Sequence, residues 1–139
     1  MEEKQELQIN ENINYEIKGN NSKQTIHTSI KDPKIIFNLD NSCDYKLNEC
    51  KGQLIRVVDV LIKIIETKID EERIDYKKIS ILIDDQGKSY VTASKMFTNE
   101  LIRYIQMFGI DSIKNGLEIK IIERSVKNSS NKALGFELV

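Results

Sequence analysis

The sequence predicts a mainly β domain with a minor helical part (β+α), and three observations carry that prediction. Residues 53–69 form a long apolar stretch in which Ile55, Val57, Val58, Val60, Ile62, Ile64 and Ile65 are β-branched, the residue type that fits a pleated strand. Three later segments alternate apolar and polar residues with the period of two that a half-buried strand requires. Residues 95–108 show the clearest 3.6-residue period of an amphipathic helix.

Composition bounds the rest. The chain has 139 residues, of which 40% are hydrophobic and 31% charged, enough to bury one core and too apolar for disorder throughout. No apolar run reaches the roughly 18–20 residues of a membrane span. The acidic start (Glu2, Glu3, Glu6) is unlike a secretory signal, so a cytoplasmic protein is expected. One histidine, His27, and two cysteines, Cys43 and Cys50, are too few for a Cys/His zinc site, and no cofactor is expected. The cysteine spacing matches no CxxC motif, which favours reduced thiols. A formal charge of −1 excludes a globally basic nucleic-acid binder but not a local patch, because residues 1–50 carry a net −3 and residues 51–139 a net +2.

Taken in order, residues 1–32 read as an N-terminal acidic arm or hairpin. Leu7 and Ile9, then Ile13, Tyr15 and Ile17, alternate weakly, and Gly19-Asn20-Asn21-Ser22 supplies a turn, so a hairpin and a frayed arm both remain open. Pro33 precedes Lys34-Ile35-Ile36-Phe37-Asn38-Leu39, expected as an edge strand that opens a domain spanning 33–139 with its core in 50–139. The 53–69 stretch is expected as a strand too long to stay straight, so a bend or bulge should interrupt it. Helix is the competing reading there, since Leu54, Val58, Leu61 and Ile65 also have helical spacing. Glu71-Glu72-Arg73 is a charged loop, and residues 76–83 follow as a strand with Ile79, Ile81 and Ile83 facing in. Asp84-Asp85-Gln86-Gly87 turns the chain into a return strand over 88–94. The helix then buries Phe97, Leu101, Tyr104, Ile105 and Phe108, with Ser94 or Thr98 as cap and Gly109 at its end. Asn115-Gly116 starts a turn, residues 117–124 alternate as a fourth strand, 127–132 is a polar loop, and 133–139 closes as a fifth strand.

Strand, strand, strand, helix, strand, strand is the connectivity of a five-stranded OB-like barrel with one helix between strands 3 and 4. The same order also suits a half-open α+β sheet. Closure would remove exposed edges that template aggregation. Cys50-Lys51-Gly52-Gln53 entering the β-branched strand, Gly87-Lys88-Ser89-Tyr90-Val91-Thr92-Ala93-Ser94 leading into a Phe-containing helix, and the terminal Leu134-Gly135-Phe136-Glu137-Leu138-Val139 resemble small single-stranded-DNA-binding proteins of phages and mobile elements in low-GC bacteria. The resemblance covers about residues 50–139. It implies an OB-like barrel that coats single-stranded DNA during replication or recombination in a bacterial or phage-infected cell, with replication or recombination proteins as further partners. The acidic C-terminal tail by which cellular bacterial proteins of this kind recruit partners is not seen, since the sequence given ends on an apolar strand.

A sequence-tolerant single-strand binder needs cations along the backbone path and flat rings for bases to stack on. With Ile79, Ile81 and Ile83 inside, Tyr76, Lys78 and Ser80 face out; with Val91 and Ala93 inside, Lys88, Tyr90, Thr92 and Ser94 face out. Lys120, Arg124, Lys127 and Lys132 extend that surface, making Tyr76, Lys78, Lys88, Tyr90, Lys120, Arg124, Lys127 and Lys132 the candidate nucleic-acid-binding residues. The plainer alternatives are a Tyr76–Tyr90 cross-strand pair that only stabilises a hairpin, and lysines that only solvate a face.

Catalysis finds little support. Asp84-Asp85 and Glu71-Glu72 sit in turns, His27 has no acid or nucleophile motif beside it, and no glycine-rich phosphate cradle exists. Two readings follow: a single-stranded-DNA-binding protein, or a protein-interaction or assembly module with an OB-like barrel and no nucleic-acid activity, its 34–39 segment pairing with another chain, self-association included. In a variant of the first, residues 1–32 fold over the basic groove and compete with DNA.

Overall fold

The computed structural model describes residues 13–19, 21–127 and 130–139. Among them, the elements are β1 (Ile13–Lys18), β2 (Ser22–Thr28), α1 (Pro33–Asn41), β3 (Tyr45–Lys46), β4 (Leu54–Lys68), β5 (Ile74–Asp84), β6 (Ser89–Thr92), α2 (Lys95–Phe108), β7 (Leu117–Ser125) and β8 (Lys132–Leu138). The mainly β expectation holds. Of the two readings left open for residues 1–32, the described part is a hairpin in which β1 pairs with β2; Leu7 and Ile9 lie outside the described residues.

The β-branched run is one strand of 15 residues, β4, and it organises the molecule. One edge pairs antiparallel with β5 from Val57 to Lys68. The other edge is shared: Leu54–Val57 pairs with β7, and Leu61–Thr67 pairs with β2. The register shifts between Val57 and Asp59, the irregularity expected of so long a strand. On the opposite edge, between the β7 and β2 pairings, Thr28 Oγ1 donates to the Val60 carbonyl at 2.7 Å and Ser29 Oγ accepts from the Val60 N–H at 3.0 Å, so Val60 keeps its partners in the gap.

A main core lies on one side of β4 and β5. Phe97 and Leu101 of α2 pack there with Val60, Ile62, Leu82, Ile119, Ile121 and Phe136, Tyr104 and Ile105 are only partly buried against it, and Phe108, expected inside, is exposed at the helix end. A smaller cluster of Ile26, Leu61 and Ile81 lies on the opposite side, where Ile36 and Leu39 of α1 cover it with Ile79 and Val91. The middle of β5 is therefore buried on both faces. This corrects the expected one-sided pattern: Ile81 does face apolar side chains, but so does Leu82, and Ser80 is wholly buried with its hydroxyl 2.5 Å from that of Thr98.

The 34–39 segment is a helix, not an edge strand. Asp32 caps it by accepting the Lys34 N–H at 2.9 Å, and Pro33 takes the first turn, where its missing N–H costs nothing.

The eight strands form one sheet that is not closed into a barrel, which corrects the expected closed five-stranded form. Closure would require β6 to pair with β8. The start of α2 stands there instead: the cap residue Ser94, two positions past β6, donates to the Leu134 carbonyl at 3.4 Å, and Glu100 accepts the Phe136 N–H at 3.1 Å. Arg124 reaches the same place across Gly135. A Cβ on Gly135 would lie 2.8 Å from the Arg124 Nε, so only glycine leaves this path open. The guanidinium then pairs with Glu100 at 2.5 Å and donates to the Phe136 carbonyl at 3.0 Å. Side chains thus take the polar groups of Leu134 and Phe136 that a further strand would need.

Candidate nucleic-acid interface

Residues opposite one another in an antiparallel ladder share a face, so the registers fix which side chains gather. On the face of the main core, Tyr76 lies opposite Glu66, Glu66 opposite Lys23, and Lys23 opposite Lys18. One row nearer α2 stand Lys78, Ile64, Thr25 and Glu16; one row farther out are Ile74 and Lys68. These rows project past α2 as a four-stranded wall. Three inter-strand steps make it about 14 Å wide, and four residues of β4 make it about 13 Å tall.

Tyr76 is 44% exposed in the central row of this wall, on its edge strand β5. Lys78 is half-buried, and its Nζ donates to Asn99 Oδ1 of α2 at 2.8 Å, which holds the ammonium at the wall's inner border. Lys23 pairs with Glu16 at 2.8 Å and lies 3.9 Å from Glu66. Lys18, Lys23 and Lys68 line a shallow pocket of about 210 Å³ beside Ile74. Four lysines against two glutamates leave the wall basic. His27, in the row beneath Thr25, has its pKa lowered by burial and is neutral at pH 7.

Tyr90 lies on the same face but in a different place. It is opposite Leu82, six residues along β5 from Tyr76, or about 20 Å, and Ser80 and Leu82 between them are wholly buried. The expected single Tyr76–Tyr90 surface therefore does not form, nor are the two a cross-strand pair. Tyr90 is half-buried against the main core, its ring stacks on Tyr45 at 5.3 Å, and its hydroxyl donates to Asp84 at 2.8 Å. Burial, reinforced by Asp84, raises the phenol pKa. The adjoining cleft is lined by Asp84, Asp85 and a Glu118 paired with Arg56 at 3.2 Å, so its side chains are net acidic.

The other predicted cations are dispersed. Lys88 is exposed just past the β5–β6 turn. Lys120 is exposed on the outer face of β7, opposite Leu54 and Glu137. Lys127 and Lys132 are exposed at the two ends of the β7–β8 connection. Arg124 is committed to Glu100 and Phe136. Of the eight candidates, only Tyr76 and Lys78 are brought together on the wall. Sequence reasoning missed Lys18, Lys23 and Lys68, which come from three strands and meet only through the β1–β2–β4 register.

Among the described residues, no group of three or more His, Cys, Asp or Glu could hold a metal ion, and no helix is long and apolar enough to cross a membrane. Comparisons with protein-family models, curated proteins and solved structures found no match to this chain.

Proposed function

We propose that this chain is a non-enzymatic single-stranded-DNA-binding protein that holds DNA on the open wall of β1, β2, β4 and β5. The observation that carries this reading is a partly exposed Tyr76 ring among Lys18, Lys23, Lys68 and Lys78. An exposed ring stacks on any base, and ammonium groups attract a phosphate backbone without reading sequence. The strand connectivity supports the same reading. From β4 onward the antiparallel pairings β4–β5, β5–β6, β4–β7 and β7–β8 are compatible with an OB-like reading that lacks its closing pair, and OB folds take oligonucleotides on their second and third strands and on the loop joining the first two. Tyr76 stands on the second strand of that set, beside that loop. The resemblance over residues 50–139 points to replication or recombination of phage or mobile-element DNA as the setting.

Fluorescence anisotropy of a labelled oligo-dT of about 30 bases at low salt tests the proposal. Wild-type protein should bind at micromolar concentration or below, and Tyr76→Ala should weaken binding by roughly 5- to 150-fold, the equivalent of about 1–3 kcal/mol of stacking. Absence of binding by the folded wild type, or unchanged affinity in folded Tyr76→Ala, would overturn it.

A further inference from the structure

A second surface lies on the far side of α2. Between α2 and β8 runs an open groove of about 980 Å³, floored by Tyr104, Met107, Phe108 and Leu138 and bordered by Lys95 and Arg103. Met107 is 72% exposed, and Phe108 and Leu138 are each 54% exposed, an unusual grouping of large apolar side chains in water. The Tyr104 and Phe108 rings pack on each other at 4.6 Å, giving a continuous apolar ridge in place of separate rings open to bases.

The charge around the groove is one-sided. Its carboxylate, Glu100, is neutralised by Arg124 at 2.5 Å. Lys95 and Arg103 form no ion pair among the described residues. Strand addition at β8 is obstructed, because Ser94, Glu100 and Arg124 already hold the edge groups of Leu134 and Phe136. An occupant must dock through side chains, which is how an amphipathic helix enters an apolar groove.

We infer that this groove receives an acidic amphipathic helix of a partner protein, its apolar side chains on Met107, Phe108 and Leu138 and its carboxylates on Lys95 and Arg103. The inference does not depend on DNA binding.

The test uses full-length protein and a labelled synthetic peptide of about 16 residues, with Leu and Phe at helical i, i+3, i+4 and i+7 spacing and Glu at the remaining positions. A peptide with Lys in place of every Glu serves as the charge control. The acidic peptide should bind at tens to hundreds of micromolar, the basic one at least tenfold more weakly. Arg103→Glu and Met107→Glu, both at exposed positions, should each weaken the acidic peptide by about tenfold while leaving the thermal melt unchanged. Saturating oligo-dT should leave peptide binding intact. Absence of acidic-peptide binding up to about 1 mM, equal binding of both peptides, insensitivity to both substitutions, or displacement by oligo-dT would each overturn the inference.

Discussion

Gly135 shows how one missing side chain governs a junction. Its bare Cα lets Arg124 cross β8 to Glu100, so Gly135→Ala should displace the guanidinium and cost about 1–3 kcal/mol in chemical denaturation. Tyr90 is a second structural residue. Tyr90→Phe removes the bond to Asp84 and should cost about 1 kcal/mol, with oligo-dT affinity unchanged in the titration described above. His27 predicts a pH dependence. Burial lowers its pKa, so the unfolded chain binds the proton more readily, and this residue's contribution to stability falls as pH drops below its ordinary value of about 6.5. Thermal melts from pH 7.5 to 5.5 should therefore show a decline in Tm that is smaller in His27→Gln. A decline of equal size in both would contradict this assignment. Residue identity alone conveyed part of this account. Tyr76 and Lys78 were legible as an outward pair, whereas Ser80 read as an outward polar residue because its buried hydroxyl partner, Thr98, lies 18 positions away on another element.

At the scale of elements, β5, β7, β8 and α2 were legible because each carries its own period, and β4 through its β-branched residues, whereas the two-residue β3 left no signal; of the two cap candidates Ser94 is the one used, and Gly109 marks the helix end as expected. Gly109 adopts a φ of 86°, which glycine reaches at no steric cost. The start signal of α1 was also present in Asp32-Pro33, an N-cap followed by proline, but the Ile35-Ile36-Phe37 run outweighed it as a strand signal. That helix is thinly anchored: none of its residues is fully buried, and Phe37 is 69% exposed. Its amides should exchange with solvent well before those of central β4, measurable by hydrogen exchange; equal protection would contradict so light an attachment. Ser94 combines the cap of α2 with a bond to β8, so Ser94→Ala should cost at least the ordinary cap value of about 1 kcal/mol.

Over the whole molecule, the deciding quantity is where charge and curvature meet, and neither is written in a single segment. The net charge of −1 conceals a wall with four lysines at one end of β4 and β5 and an acidic cleft at the other. Many other cations are already paired, among them Arg56 with Glu118, Lys51 with Glu123, Lys63 with Asp40 and Lys114 with Asp59. The succession of elements from β4 to β8 was legible, but the attachment of β2 to β4 and of β3 to β6 was not. Nor was the absence of closure, because it depends on Glu100 and Arg124, 24 positions apart, meeting at the β8 edge. If four phosphates are neutralised on the wall, raising salt from about 50 to 200 mM should weaken oligo-dT binding about 50-fold. The most direct check on the wall as the DNA surface is an amide chemical-shift map of the full chain titrated with a dT 12-mer. The account predicts perturbations concentrated at Lys18, Lys23, residues 64–68 and residues 74–78. Perturbations centred on Tyr45 and Tyr90 or on the α2–β8 groove, or none at all, would contradict it.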